Sequence, residues 1–150
     1  MEELAPYGVV DIAHYVVDKC YRDGRPVSNL HLQKMLYFLQ LLFVEVFGIP
    51  LFPEEFEAWP YGPVMPSVYG EFSRFGGAPI EVTFRGARDF IQQEHKGFID
   101  VAIDVLRGKS PWDLVRVSHS DNSPWDVIYN QHHRYKGTIP NGLVFSSIEG

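Results

Sequence analysis

A chain of 150 residues, 45% hydrophobic and 21% charged, has the size and composition of one globular domain, and such a core needs neither disulfide nor metal to hold it. Thirteen basic against nineteen acidic residues leave a net charge of −6, which makes a poor general nucleic-acid binder, because phosphate neutralisation needs clustered Lys and Arg. Cys20 is the single cysteine, so no intrachain disulfide forms, in keeping with a reducing, cytoplasmic setting.

The start, Met1-Glu2-Glu3-Leu4, is acidic, the opposite of a signal peptide's basic start. Residues 9–23 read as an amphipathic helix with Val9, Ala13, Val16 and Cys20 on one face and Asp11, Asp18, Lys19 and Arg22 opposite. Gly24 and Pro26 stop it. Ser28 or Asn29 caps a second helix, Leu30 to Phe47. Leu32, Leu36, Leu39, Phe43 and Val46 form one row, and Leu30, Met35, Phe38 and Leu42 widen it to most of the circumference. Only Gln33, Lys34, Tyr37 and Gln40 make a narrow polar stripe. Such a helix is buried on most sides, which places it at the centre of the domain rather than in a membrane, where about 20 uninterrupted apolar residues are needed.

Residues 51–66 are not helical; Phe56 to Trp59 suits a short strand, and Pro60, Pro63 and Pro66 stiffen the segment after it. Pro66 opens a helix to residue 75. Gly76, Gly77 and Pro79 turn the chain, and Ile80 to Phe84 alternates as a strand does. Residues 87–107 read as a long helix whose apolar arc holds Phe90, Ile91, Phe98, Val101, Ala102, Val105 and Leu106, with Glu94 inside it. Ser110-Pro111 and Ser123-Pro124 each open a further helix, to about Val117 and His133. Beyond Thr138 two readings stand, a strand at Leu143 to Phe145 or a short helix opened by Pro140. The expected fold is mainly α (α+β): one domain over residues 1–150, about six helices around the buried central helix, with a small β element.

Eleven of the 22 aromatic residues fall within residues 37–75. Within that stretch Trp59-Pro-Tyr-Gly-Pro reads either as a rigid aromatic platform for a partner or as a structural loop in which Gly62 supplies a backbone angle. Ser118-His-Ser-Asp is not a triad, because neighbours in sequence diverge; Ser123 reads as a helix cap. The six histidines lack paired metal-ligand spacing, so neither metal nor cofactor is expected. Glu94 reads as an edge residue with its head in solvent, or as the partner of Lys34, an arginine or a tyrosine hydroxyl. Glu54, Glu55 and Glu57 read as a solvated cluster or as a steering patch for a basic partner. There is no phosphate loop and no nucleophile elbow.

Leu30-His-Leu-Gln-Lys-Met-Leu-Tyr-Phe, then Phe56-Glu-Ala-Trp-Pro-Tyr-Gly-Pro-Val with Pro66 and Val68-Tyr69, then His119 with Pro124-Trp125, resemble in order and spacing the three blocks of the Panacea-domain, SocA-like antitoxin family. Pro60 stands where that pattern has a polar or charged residue. The resemblance implies a cytoplasmic, non-enzymatic bacterial or phage antitoxin that neutralises a protein toxin by direct binding. It also raises delivery of the toxin to a ClpXP-type protease, a role these motifs do not themselves carry. The matching positions divide into structural ones (Leu32, Gln33, Ala58, Gly62, Pro63, Tyr69 and Pro124) and candidates for one partner-facing surface: Lys34, Tyr37, Trp59, Tyr61, His119 and Trp125. No membrane or nucleic-acid partner is expected, and a homo-oligomer is compatible. A phage-associated regulatory adaptor is the alternative, followed by a hydrolase-like enzyme using His119, Glu94 and Lys34.

Overall fold

The computed structural model describes residues 5–149, so the acidic start at residues 1–4 lies outside the described residues. In chain order the elements are α1 (Val9–Arg22), α2 (Asn29–Phe47), β1 (Phe56–Trp59), β2 (Gly62–Val64), α3 (Pro66–Phe72), α4 (Gln93–Arg107), α5 (Pro111–Ser118), α6 (Pro124–Asp126), β3 (Gly137–Ile139) and α7 (Asn141–Glu149). A 3-10 turn extends α3 over Ser73–Phe75, and a π turn extends α6 over Val127–Gln131. The architecture is mainly α with a three-stranded antiparallel sheet in the order β2-β1-β3.

Local chemistry sets the helix ends. The Ser28 hydroxyl accepts from the His31 amide at the start of α2, and Gly48, at φ 75°, closes it in the left-handed region that favours glycine. Ser110 and Ser123 cap α5 and α6, each with proline in the first turn. The acidic run at 54–57 is neither loose nor unpaired. Glu54 accepts from the Val9 amide at the start of α1, Glu55 from the Asn141 amide at the start of α7, and Glu57 from the Trp59 indole. Two of the three carboxylates therefore cap helix N-termini, where free amides and the helix dipole favour a negative charge.

α2 is the hub; it touches α1, α3, α4, α5, α7 and β2. Its length and hydropathy would suffice to cross a membrane, but it packs as a core helix and its polar stripe is buried as deeply as its apolar row. Gln33, Lys34 and Gln40 have no exposed surface and Tyr37 only 2%. Each amide has a structural partner. The Gln40 carbonyl accepts from Leu51 N–H at 2.8 Å and its amide donates to Phe52 C=O at 2.9 Å, fastening the 51–52 loop. Gln33 accepts from Met65 N–H and donates to Asn29, which in turn donates to Tyr69 C=O. The solvent-facing part of α2 lies instead towards its C-terminal end, where Glu45 and Val46 are exposed.

Several expectations change. Ile80 to Phe84 is not a strand: burial alternates along it, but its amides go singly to Val27 C=O and the Asp18 carboxylate instead of a ladder. Asp18 itself is buried, because it also accepts from Arg22 and faces Arg88. Those bonds and the Phe84 amide outweigh the burial that would raise its pKa, and hold it below the ordinary carboxylate value. The helix expected at 87–107 starts only at Gln93, after turns over 85–90, and it buries His95, Ile99, Ala102, Ile103 and Leu106 while Val101 and Val105 face out. The C-terminal ambiguity resolves in favour of the helix, with β3 just ahead of it.

Candidate functional site

β1 and β2 form a tight hairpin in which Trp59 pairs with Gly62, leaving Pro60 and Tyr61 as the two-residue turn. Pro63 lies in β2, on the edge of the sheet, where a missing N–H is tolerated. Beneath the hairpin, the Lys34 ammonium group donates to Pro63 C=O at 2.5 Å. Gly62, at φ 109°, is the point of closest approach: a Cβ there would stand 2.7 Å from Ser118 Oγ and 3.0 Å from Lys34 Cε. Burial pushes the Lys34 amine down to about 7, since no carboxylate is there to repay its desolvation.

The third sequence block folds onto the same spot. Ser118 to Pro124 turns back on itself, so that the His119 and Trp125 rings stack at 3.7 Å with only 7° between their planes. Tyr129 extends the stack on the other side of Trp125, at 4.7 Å. The Trp125 indole donates to Trp59 C=O at 2.6 Å, which ties the block to the hairpin. His119 Nε2 is buried and has no hydrogen-bond partner among the described residues. Its pKa is lowered by burial and then by the Lys34 charge, with Asp126 opposing.

Of the six residues expected on a partner-facing surface, the fold brings Lys34, Trp59, His119 and Trp125 together, yet mostly beneath the surface. Lys34, Tyr37 and Trp125 are buried, Trp59 and His119 half-buried, and Tyr61 is exposed. Tyr37 lies edge-on to Phe56 in the core. The buried members brace the hairpin. The solvent-facing side is a cleft of about 470 Å3 with walls from the hairpin tip, the start of α2, α3 and the start of α5. Two edge-to-face aromatic pairs flank it: Trp59 with Tyr69 at 5.0 Å, and Tyr61 with Trp112 at 5.4 Å. Tyr61 and Trp112 expose 58% and 56% of their surface, and no Asp, Glu, Lys or Arg lines the cleft. Gln33 and Val64 form part of its wall. Sequence reasoning missed Trp112; the signal was an aromatic residue directly after the Ser110-Pro111 helix start, where the first turn faces solvent.

The enzymatic grouping does not assemble. Glu94 is 74% exposed beside His95, and His95 packs against Phe43 and Phe47. Phe43 and Lys34 stand nine positions apart along α2, about 13.5 Å at the helical rise. No group of three or more His, Cys, Asp or Glu side chains that could hold a metal occurs among the described residues.

The braced hairpin therefore presents two aromatic pairs over an uncharged cleft. Residues 32–126 match the family model for the antitoxin SocA-like, Panacea domain, and the chain belongs to that family. It is 37% identical over 132 residues to Antitoxin SocA of Caulobacter vibrioides (strain NA1000 / CB15N), an alignment that covers 79% of this chain and 69% of that relative. No solved structure matches significantly.

Proposed function

We propose that this protein is an antitoxin of a bacterial or phage toxin–antitoxin system, and that it neutralises a protein toxin stoichiometrically by binding it through the aromatic cleft. The observation that carries the reading is the pairing of family membership with exposed Tyr61, Tyr69 and Trp112 rings around the half-buried Trp59, on a hairpin held from below. Tyr and Trp supply large contact area at low entropic cost, and such anchors dominate interface energies. The mechanism is occlusion: the cleft buries an uncharged part of the toxin surface, and polar groups at the rim exclude water. The antitoxin family of the chain favours a non-enzymatic role, and the separation of Glu94 from Lys34 and His119 fits it. A role as adaptor to a ClpXP-type protease would use a second surface and is a separate question.

Co-expression with the product of the adjacent gene tests this. Tyr61→Ala and Trp112→Ala each leave the fold intact by circular dichroism and weaken toxin capture by roughly 30-fold or more, the scale of a hot-spot truncation. Toxin capture and cell protection that are unchanged in the double variant would sink the cleft as the docking surface.

A further inference from the structure

A second surface carries its own signature. The packing of α4 on α2 leaves an apolar strip open: Val46, Val101 and Val105 are 58%, 63% and 51% exposed, with Leu42 and Phe98 half-buried between them. The strip continues into a groove of about 510 Å3 where Phe38, Leu42, Leu106 and Leu114 form much of the lining. Two residues of that lining are charged, Glu45 and Lys109.

Their placement follows from the direction of the helices. At one end of the pair the His31 imidazole, near the start of α2, donates to Leu106 C=O, near the end of α4. At the other end Phe43 and Phe47 of α2 pack on His95, in the first turn of α4. The helices are therefore antiparallel, with Glu45 towards one end of the groove and Lys109, just past α4, towards the other. A two-fold axis that lies in the contact plane and crosses the helices at the middle of the groove exchanges the ends, so acid meets base twice and valine strip meets valine strip. A surface of this kind is its own electrostatic and apolar complement, which is the condition for an isologous contact.

We propose that this groove is the interface of a homodimer in which α2 and α4 of one copy pack on α2 and α4 of a second, with Glu45 of each copy opposite Lys109 of the other. The proposal is independent of the antitoxin reading, because the aromatic cleft shares no lining residue with the groove.

Sedimentation of the full chain, from micromolar to hundreds of micromolar, tests it without any toxin. The mass is expected to move from one copy to two. Val105→Asp, at an exposed site, should stay at one copy throughout with an unchanged circular dichroism spectrum. Glu45→Lys and Lys109→Glu should each raise the dimer dissociation constant by about tenfold or more, and the double reversal Glu45→Lys/Lys109→Glu should restore it. A wild-type chain that stays at one copy at every concentration overturns the proposal. So does a double reversal that associates no better than the single ones. A monomeric wild type whose toxin capture is lost in Val105→Asp would overturn it as well, and would assign the groove to the toxin.

Discussion

Gln40 shows how single polar side chains in this fold act as fasteners. Its one amide serves Leu51 N–H, Phe52 N–H and Phe52 C=O, all buried. A buried backbone group left without a partner costs about 1–3 kcal/mol. Gln40→Leu keeps the volume and removes every bond, so unfolding by denaturant should show a loss of about 3 kcal/mol. The mechanism is orphaned backbone groups rather than a cavity, and Gln40→Glu, which loses the donor and buries an unpaired carboxylate against Phe52 C=O, should cost at least as much near neutral pH. Gln33 follows the same logic at Met65, where it positions the start of α3. These glutamines explain why a polar stripe runs down a fully buried side of α2. Each faces a loop that has no regular ladder to satisfy it.

At the scale of elements, the β1–β2 hairpin depends on the space that Gly62 leaves. Alanine there adds a Cβ 2.7 Å from Ser118 Oγ, on a backbone with φ 109° that L side chains rarely adopt. Gly62→Ala is expected to lower stability by about 2–4 kcal/mol and to lift the hairpin off Lys34. Amide exchange at residues 56–64 should accelerate as a result. Gly97, inside α4, would have nothing within 4 Å of an added Cβ and has no unusual φ. Gly97→Ala should stabilise by about 0.5–1 kcal/mol through helix propensity alone. The two substitutions are chemically identical, so opposite signs in thermal melts would isolate close approach as the reason for the glycine in the hairpin.

For the whole molecule, the Lys34–His119 pocket sets a pH dependence. Burial holds the Lys34 amine at about 7, against an ordinary value of 10.5. Between those values the unfolded chain binds the proton that the folded chain does not, so stability rises with pH, with a slope approaching about 1.4 kcal/mol per unit. His119, also depressed by burial and by Lys34, acts in the same direction below its ordinary value of 6.5. Stability should therefore climb from pH 6 to 8.5. The buried Cys20 and tyrosines, whose values burial raises, reverse the trend only in more alkaline solution. Chemical denaturation at several pH values checks this. Lys34→Met should flatten the limb between pH 7 and 8.5, and an unchanged slope in that variant would contradict the assignment.

The sequence by itself determined what depends on local chemistry and short-range period. That covers α1, α2, α5 and the start of α6, the Ser caps with their prolines, the β1 strand, the glycine in the hairpin, and the three blocks that mark the family. Only tertiary structure decided which way each face turns and which segments meet. Hydropathy alone places Lys34, Gln33 and Gln40 on the solvent side of α2, because it does not register the backbone carbonyls and amides that loops 51–52 and 63–65 bring to them. The valines of α4 read as core for the converse reason: an amphipathic period locates an apolar face but not whether the fold supplies enough partners to cover it. Trp112 and Tyr61, 51 positions apart in the chain, share a cleft because the packing of α5 and β2 on α2 carries both to one edge of the molecule.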